Sequence, residues 1–97
     1  MIFKLSIKAE EDIINIYQEG CLNFGATQAE KYHVEMENIF KFLSHNPNAA
    51  RERTEITPPV RVHPYGSHII IYLIDSTDSV FILRVRHGRE DWAKMPL

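Results

Sequence analysis

The chain has 97 residues, of which 44% are hydrophobic and 25% charged, with a formal net charge of −2 and a pI near 6.2. That length allows one hydrophobic core and no second, so residues 1–97 read as a single domain. The composition excludes a disordered tail and a collagen-like repeat, and the lone Cys21 excludes both a disulfide-stapled mini-protein and a thiolate cluster for zinc. Such cysteine usage fits a reducing cytoplasm.

The apolar run at the N-terminus is too short for a signal peptide, and Lys8 to Asp12 is charged. The longest apolar stretch, Ile69 to Ile74, is far below the roughly 20 residues that span a bilayer. Charge is unevenly spread. Residues 1–50 carry four lysines and seven acids, whereas all six arginines (Arg51, Arg53, Arg61, Arg84, Arg86, Arg89) follow residue 50. Arginine suits planar, bidentate contact with carboxylate or phosphate.

In chain order, Ile2 to Ile7 alternates and is rich in β-branched residues, which predicts a strand. Glu10, Glu11 and Asp12 cluster where a helix would begin, their charge favourable at the positive end of the macrodipole. Ala9, Ile13, Ile16, Tyr17, Cys21 and Phe24 then recur at helical spacing, and Gly25 suits a C-cap of positive φ. A second stripe, Ala29, Tyr32, Met36, Ile39, Phe40 and Leu43, predicts a second helix stopped by Asn46-Pro47-Asn48. The short link between them implies an antiparallel helical hairpin.

After Pro47 the period changes to two. A short strand is expected around Thr54 to Thr57, then strands at Val60–His63, Ser67–Asp75 and Ser79–Val85, the last two joined by the Asp75-Ser76-Thr77-Asp78 turn. Arg89 to Leu97 reads as a short polar tail containing Trp92. The fold class is therefore α+β, with an N-terminal strand and a helical hairpin packed on a small, mostly antiparallel sheet. The hairpin covers one sheet face. The other, with apolar residues of its own, is expected to stay partly open for a partner.

Several chemistries are excluded. The glycines form no phosphate-cradling loop, and the five histidines show no metal-ligand spacing, with His33 and His45 expected in solvent. Ser67 and His68 are neighbours on a strand, so their side chains diverge and cannot act as nucleophile and base. The last strand and its exit remain. Strict alternation places Arg84 and Arg86 on the face of Val80 and Ile82, and His87 with Phe81, Leu83 and Val85 unless a bulge intervenes. Arg84 either pairs with an acid such as Glu55 or Asp91, or joins an Arg/His patch facing phosphate or acidic side chains.

An ordered set of motifs runs from about Lys8 to Trp92: Ala9-Glu10-Glu11-Asp12-Ile13, Phe24-Gly25, Gln28-Ala29 with Tyr32, Phe42-Leu43 with Asn46-Pro47, Val60-Arg61, and Ser67-His68-Ile69-Ile70 with Tyr72. It closes with Ile82-Leu83-Arg84-Val85-Arg86-His87-Gly88-Arg89-Glu90-Asp91-Trp92. In these the chain resembles the RelE/ParE superfamily of type II toxin–antitoxin toxins, on the ParE side. Ala49-Ala50 departs from the glycine that many members carry before Arg51. The resemblance implies a helical hairpin on an antiparallel sheet, and one of two activities. RelE-like members are ribosome-dependent endoribonucleases, and Arg61, Arg84 and His87 stand at positions that branch uses. ParE-like members lack the complete set and stabilise the cleaved-DNA complex of DNA gyrase. Lysine is missing between residues 42 and 93, and the pI argues against burrowing into ribosomal RNA, where counterion release rewards basic proteins.

The resemblance thus implies a gyrase poison, a binding activity without cofactor, metal or membrane, with Arg84, Arg86, His87, Arg89, Asp91 and Trp92 facing target or antitoxin. It further implies a cognate antitoxin whose disordered C-terminal segment folds on binding, with operator DNA reached only through that antitoxin. A third reading is a non-toxic corepressor acting with its antitoxin.

Overall fold

The computed structural model describes residues 3–94. Strand β1 (Phe3–Leu5) leads directly into helix α1 (Ile7–Phe24). The helix begins earlier than the acidic cluster suggested, because Ser6 is its N-cap: the Ser6 hydroxyl accepts from Ala9 N at 2.9 Å. Ser6 and Ile7 therefore leave the expected strand, and Ile2 lies outside the described residues. Asp12 falls in the second helical turn, beyond the free N–H groups. Gly25, at φ 87°, joins α1 to α2 (Ala26–His45), which Asn46 closes.

Strands β2 (Glu52–Arg53), β3 (Val60–Tyr65), β4 (His68–Ile74) and β5 (Val80–His87) complete a five-stranded sheet of order β1-β5-β4-β3-β2. The short strand lies at Glu52–Arg53, not at Thr54–Thr57, because it pairs with Arg61 and Val60. Pairing is antiparallel throughout except that β1 runs parallel to β5. The helical hairpin carries the chain from β1 at one edge of the sheet to β2 at the other, and the antiparallel run β2 to β5 returns it to lie parallel beside β1.

The stripes of α1 and α2 build the main core. Ala9, Met36, Phe40 and Leu43 pack on Ile70, Tyr72, Val80, Ile82 and Val85, and Phe3 meets the Phe40 ring at 5.3 Å. Tyr72 is fully buried yet satisfied, its hydroxyl donating to Pro47 O at 2.9 Å. The second sheet face is better covered than the sequence suggested. Ile56 and Trp92 close over Val60, Ile71 and Leu83, leaving Ile69, Leu73 and Phe81 only half-buried. Trp92, in a short 3-10 turn (Trp92–Lys94), is held there. The exposed large apolar side chains sit instead on the helices, Leu22 at 87% and Phe24 at 74% exposure.

A bulge in β5 decides where the arginines point. Ile71 pairs with Arg84 but Tyr72 with Ile82, so Leu83 is the extra residue. Val85 therefore joins Val80 and Ile82 on the helix side, with His87 two residues beyond. Arg84 and Arg86 share the face of Phe81 and Leu83. That reverses the arrangement strict alternation predicts.

The turn before β4 is equally constrained. Gly66 has φ 54°, and a Cβ there would stand 2.6 Å from the Tyr32 hydroxyl. Gly66→Ala is expected to cost about 1–3 kcal/mol, from positive φ and from pushing Tyr32 off its partners. Urea denaturation measures it; a change within about 0.5 kcal/mol would contradict this account of the turn.

At the β4–β5 turn the Asp75 carboxylate accepts from Thr77 N, Thr77 Oγ1 and Ser79 N and pairs with Lys4 at 3.0 Å. These donors, Thr77 first and Lys4 next, hold its pKa below the usual carboxylate range. Arg86 does the same for Glu90. With both pKa values lowered on folding, the unfolded chain takes up more protons as pH falls. Their contribution is then complete above about pH 4.5 and is lost as pH drops through the folded-state values. Asp75→Asn should flatten the fall of the urea midpoint below that pH. An equally steep fall in the variant would count against Asp75.

Candidate functional site

Ser6 and Asp12 together finish the edge of β5. Strand β1 covers it only along Val80–Ile82. Beyond that, Ser6 N donates to Ile82 O at 2.9 Å and the Ser6 hydroxyl to Leu83 O at 2.6 Å. Asp12 Oδ2 accepts from Val85 N at 3.0 Å. The same carboxylate takes both forks of Arg84, Nε to Oδ2 at 2.7 Å and Nη2 to Oδ1 at 2.9 Å. This is bidentate geometry, and the side chains are only 18% and 14% exposed. Bonding to Asp12 raises the Arg84 pKa further. Arg84 thus pairs with an acid, but with Asp12 rather than Glu55 or Asp91.

The sequence did carry a signal for this. Asp12 lies on the buried stripe of α1, between Ala9 and Ile16, where an acid needs a partner.

Most other arginines are similarly engaged. Arg86 Nη2 reaches Glu90 Oε2 at 2.6 Å, and Glu90 Oε1 accepts from His87 N at 3.1 Å. Arg53 donates to Glu55 at 2.7 Å and lies 5.5 Å above the Trp92 ring. Arg51 approaches Glu55 at 3.8 Å. Arg61 donates from Nη1 to Ala50 O at 2.6 Å, which fixes the loop at the Ala49-Ala50 departure from the family pattern. Asp91 pairs with Lys94 at 3.3 Å. Arg89 alone among the arginines presents a guanidinium with no partner among the described residues, while its N–H donates to His87 Nδ1 at 3.2 Å.

The candidates for phosphate chemistry do not converge. Arg61 lies opposite Tyr72 and His87 opposite His68, both pointing to the helix side. Four residues along β4 separate those positions by about 13 Å. Arg84 sits on the other face at the α1 edge. The exit from β5 is different: His87, Arg89 and Asp91 are exposed together around the Arg86–Glu90 pair, with Trp92 anchoring the chain behind them.

His68, at the start of β4, contacts His87 ring to ring at 5.4 Å and Tyr32 through Nδ1 at 2.7 Å. Burial first, and His87 second, push its pKa down. His33, expected in solvent, is half-buried edge-on to Tyr17 at 6.0 Å. Among the described residues no cluster of three or more side chains could hold a metal ion, and no helix is long and apolar enough to cross a membrane.

The family model described as the ParE toxin of the parDE type II toxin–antitoxin system matches residues 3–92. The chain belongs to the ParE toxin family. Its relatives include toxin ParE1 of Mycobacterium tuberculosis, 29% identical over 89 residues that cover 92% of this chain and 91% of that toxin. Toxin ParE3 of Caulobacter vibrioides is 28% identical over 82 residues, covering 84% and 81% respectively. Among solved structures, the chromosomal ParDE toxin–antitoxin system from P. aeruginosa matches with a TM-score of 0.75 at 22% identity, over 90% of this chain and 95% of that one. That likeness supports the fold: the ParE-family hairpin on a five-stranded sheet.

Proposed function

We propose that this ParE-family toxin poisons DNA gyrase by binding, without bond-breaking chemistry of its own, and that a cognate antitoxin neutralises it. The separation of Arg61, Arg84 and His87 carries the reading. A general acid or base and the groups that stabilise phosphate charge must meet at one reacting centre. Here Arg61 and His87 stand about 13 Å apart along β4, and Arg84 is bound to Asp12 on the opposite face. The exposed exit of β5 suits a contact surface instead: the unpaired Arg89 beside His87 and Asp91, fixed by Arg86–Glu90 and Trp92.

The antitoxin's disordered segment would order on the helices, where Ile7, Ile14, Leu22, Phe24, Val34 and Phe42 are exposed. Such a segment carrying acids would also reach Arg89. DNA at the operator is contacted through the antitoxin.

Induction in growing bacteria tests the reading. The expected result is a rising DNA-damage response with intact mRNA, abolished by co-expressed antitoxin. Arg89→Glu, at an exposed site, is expected to fold normally and to weaken growth inhibition by about tenfold or more, the effect of losing roughly 1.4 kcal/mol of binding. Rapid mRNA loss without a damage response would favour the endoribonuclease branch, and no toxicity the corepressor.

A further inference from the structure

The α1–α2 hairpin tip and the β3–β4 turn enclose a pocket of about 460 Å3. That volume lies within the range of cavities that hold ligands. Its apolar wall includes Ile16, Phe24 and Ala29, and Glu19, Asn23 and Gln28 bring polar ends to it from the two helices. The far wall is Tyr32, His68 and His87.

The far wall is rigid before anything enters. The Tyr32 hydroxyl donates to Tyr65 O at 3.2 Å, accepts from Ser67 N at 3.2 Å and bonds His68 Nδ1 at 2.7 Å. In return the Tyr65 hydroxyl donates to Tyr32 O at 3.0 Å.

Charge then selects the occupant. Glu19 is the carboxylate that lines the pocket, and no lysine or arginine does. Burial disfavours the cationic form of His68. An anion would meet Glu19 with no lysine or arginine to offset it. A cation finds a carboxylate, two amide oxygens and aromatic rings over which to sit. Among biological cations a guanidinium fits best: weakly hydrated, rich in donors and able to stack on rings. Its methylene stem would lie along Ile16 and Ala29. The mouth is shouldered by Phe24, one of the most exposed apolar side chains, with Leu22 close by in sequence, a surface suited to polypeptide flanking the inserted group.

We propose that this pocket receives an arginine side chain from a protein partner. The inference does not depend on gyrase being the target.

The test is an NMR titration of the intact chain, following the ring protons of His68 and His87. The probe is N-acetyl-arginine methylamide, compared with its neutral isostere N-acetyl-citrulline methylamide. Saturable shifts are expected with the arginine probe, with affinity at least about tenfold lower for citrulline. Glu19→Gln, at an exposed position, should weaken the arginine probe to a similar degree with the urea midpoint unchanged. Phe24→Ala should weaken both probes. Equal binding of the two probes, tighter binding of N-acetyl-glutamate methylamide, or no saturable shift up to the solubility limit would overturn the proposal.

Discussion

Asp12→Ala is expected to lower the unfolding free energy by about 2–4 kcal/mol, a large share of what a domain this small has. The substitution strands two groups at once. Arg84 keeps its charge at 18% side-chain exposure without its bidentate partner, and Val85 N loses the acceptor that finishes the β5 edge. Arg84→Ala should cost less, about 1–2 kcal/mol, because Asp12 still accepts from Val85. Asp12→Asn should fall between them, keeping one acceptor and losing the charge. Urea denaturation of the three single variants and the Asp12/Arg84 double variant measures the coupling directly. If Asp12→Ala stays within about 0.5 kcal/mol of the parent, the pair does not secure the edge.

Phe40→Ala is expected to cost about 3–5 kcal/mol. Phe40 is 3% exposed and joins the helical hairpin to the sheet, against the Phe3 ring and in the core cluster that holds Ile82. Truncation removes the transfer free energy of the ring and leaves a cavity that flanking strands and helix close only partly. For a domain of this size each kcal/mol moves the melting temperature by about 4–8 °C, so a drop of at least about 12 °C follows. Phe24→Ala is the control. At 74% exposure the Phe24 side chain buries little in the isolated chain, and its loss should be worth within about 0.5 kcal/mol. Similar losses for the two variants would mean that the core does not lie where the apolar stripes put it.

Those stripes were the most readable part of the sequence. The run from Ala29 to Leu43 keeps one face of a 3.6-residue period, and its members enter the core as a set. The β4 alternation was equally clear: Ile70 and Tyr72 face the helices while Ile69 and Ile71 face away. What failed to show was non-local. The bulge at Leu83 is invisible to a period-two reading, because Phe81 to Val85 is apolar enough on either face. The extra residue shows only when β4 and β5 are paired, and it moves Arg84, Arg86 and His87 to the opposite faces.

The partner of Arg84 was hidden for a related reason. Asp12 lies 72 residues away and reads as a charge at a helix start unless Ser6 is taken as the cap. The pocket beside Tyr32 draws on two helices, a turn and the ends of two strands, and no local pattern gathers them. The exit motif from Arg84 to Trp92 was legible as a family signature. Its division into paired arginines and the free Arg89 was not, since that depends on where each acid lands.

The proposed action on gyrase, through a binding surface rather than a catalytic centre, can be tested in vitro. The most direct test incubates purified toxin with DNA gyrase, supercoiled plasmid and ATP and scores linear cleaved DNA. The expected result is dose-dependent linear product that disappears when the antitoxin is added. Arg61→Ala, if folded, should retain the activity, while Arg89→Glu should lose most of it. Gyrase left untouched, together with mRNA cleavage in a ribosome-dependent reaction that requires Arg61 and His87, would contradict the proposed action.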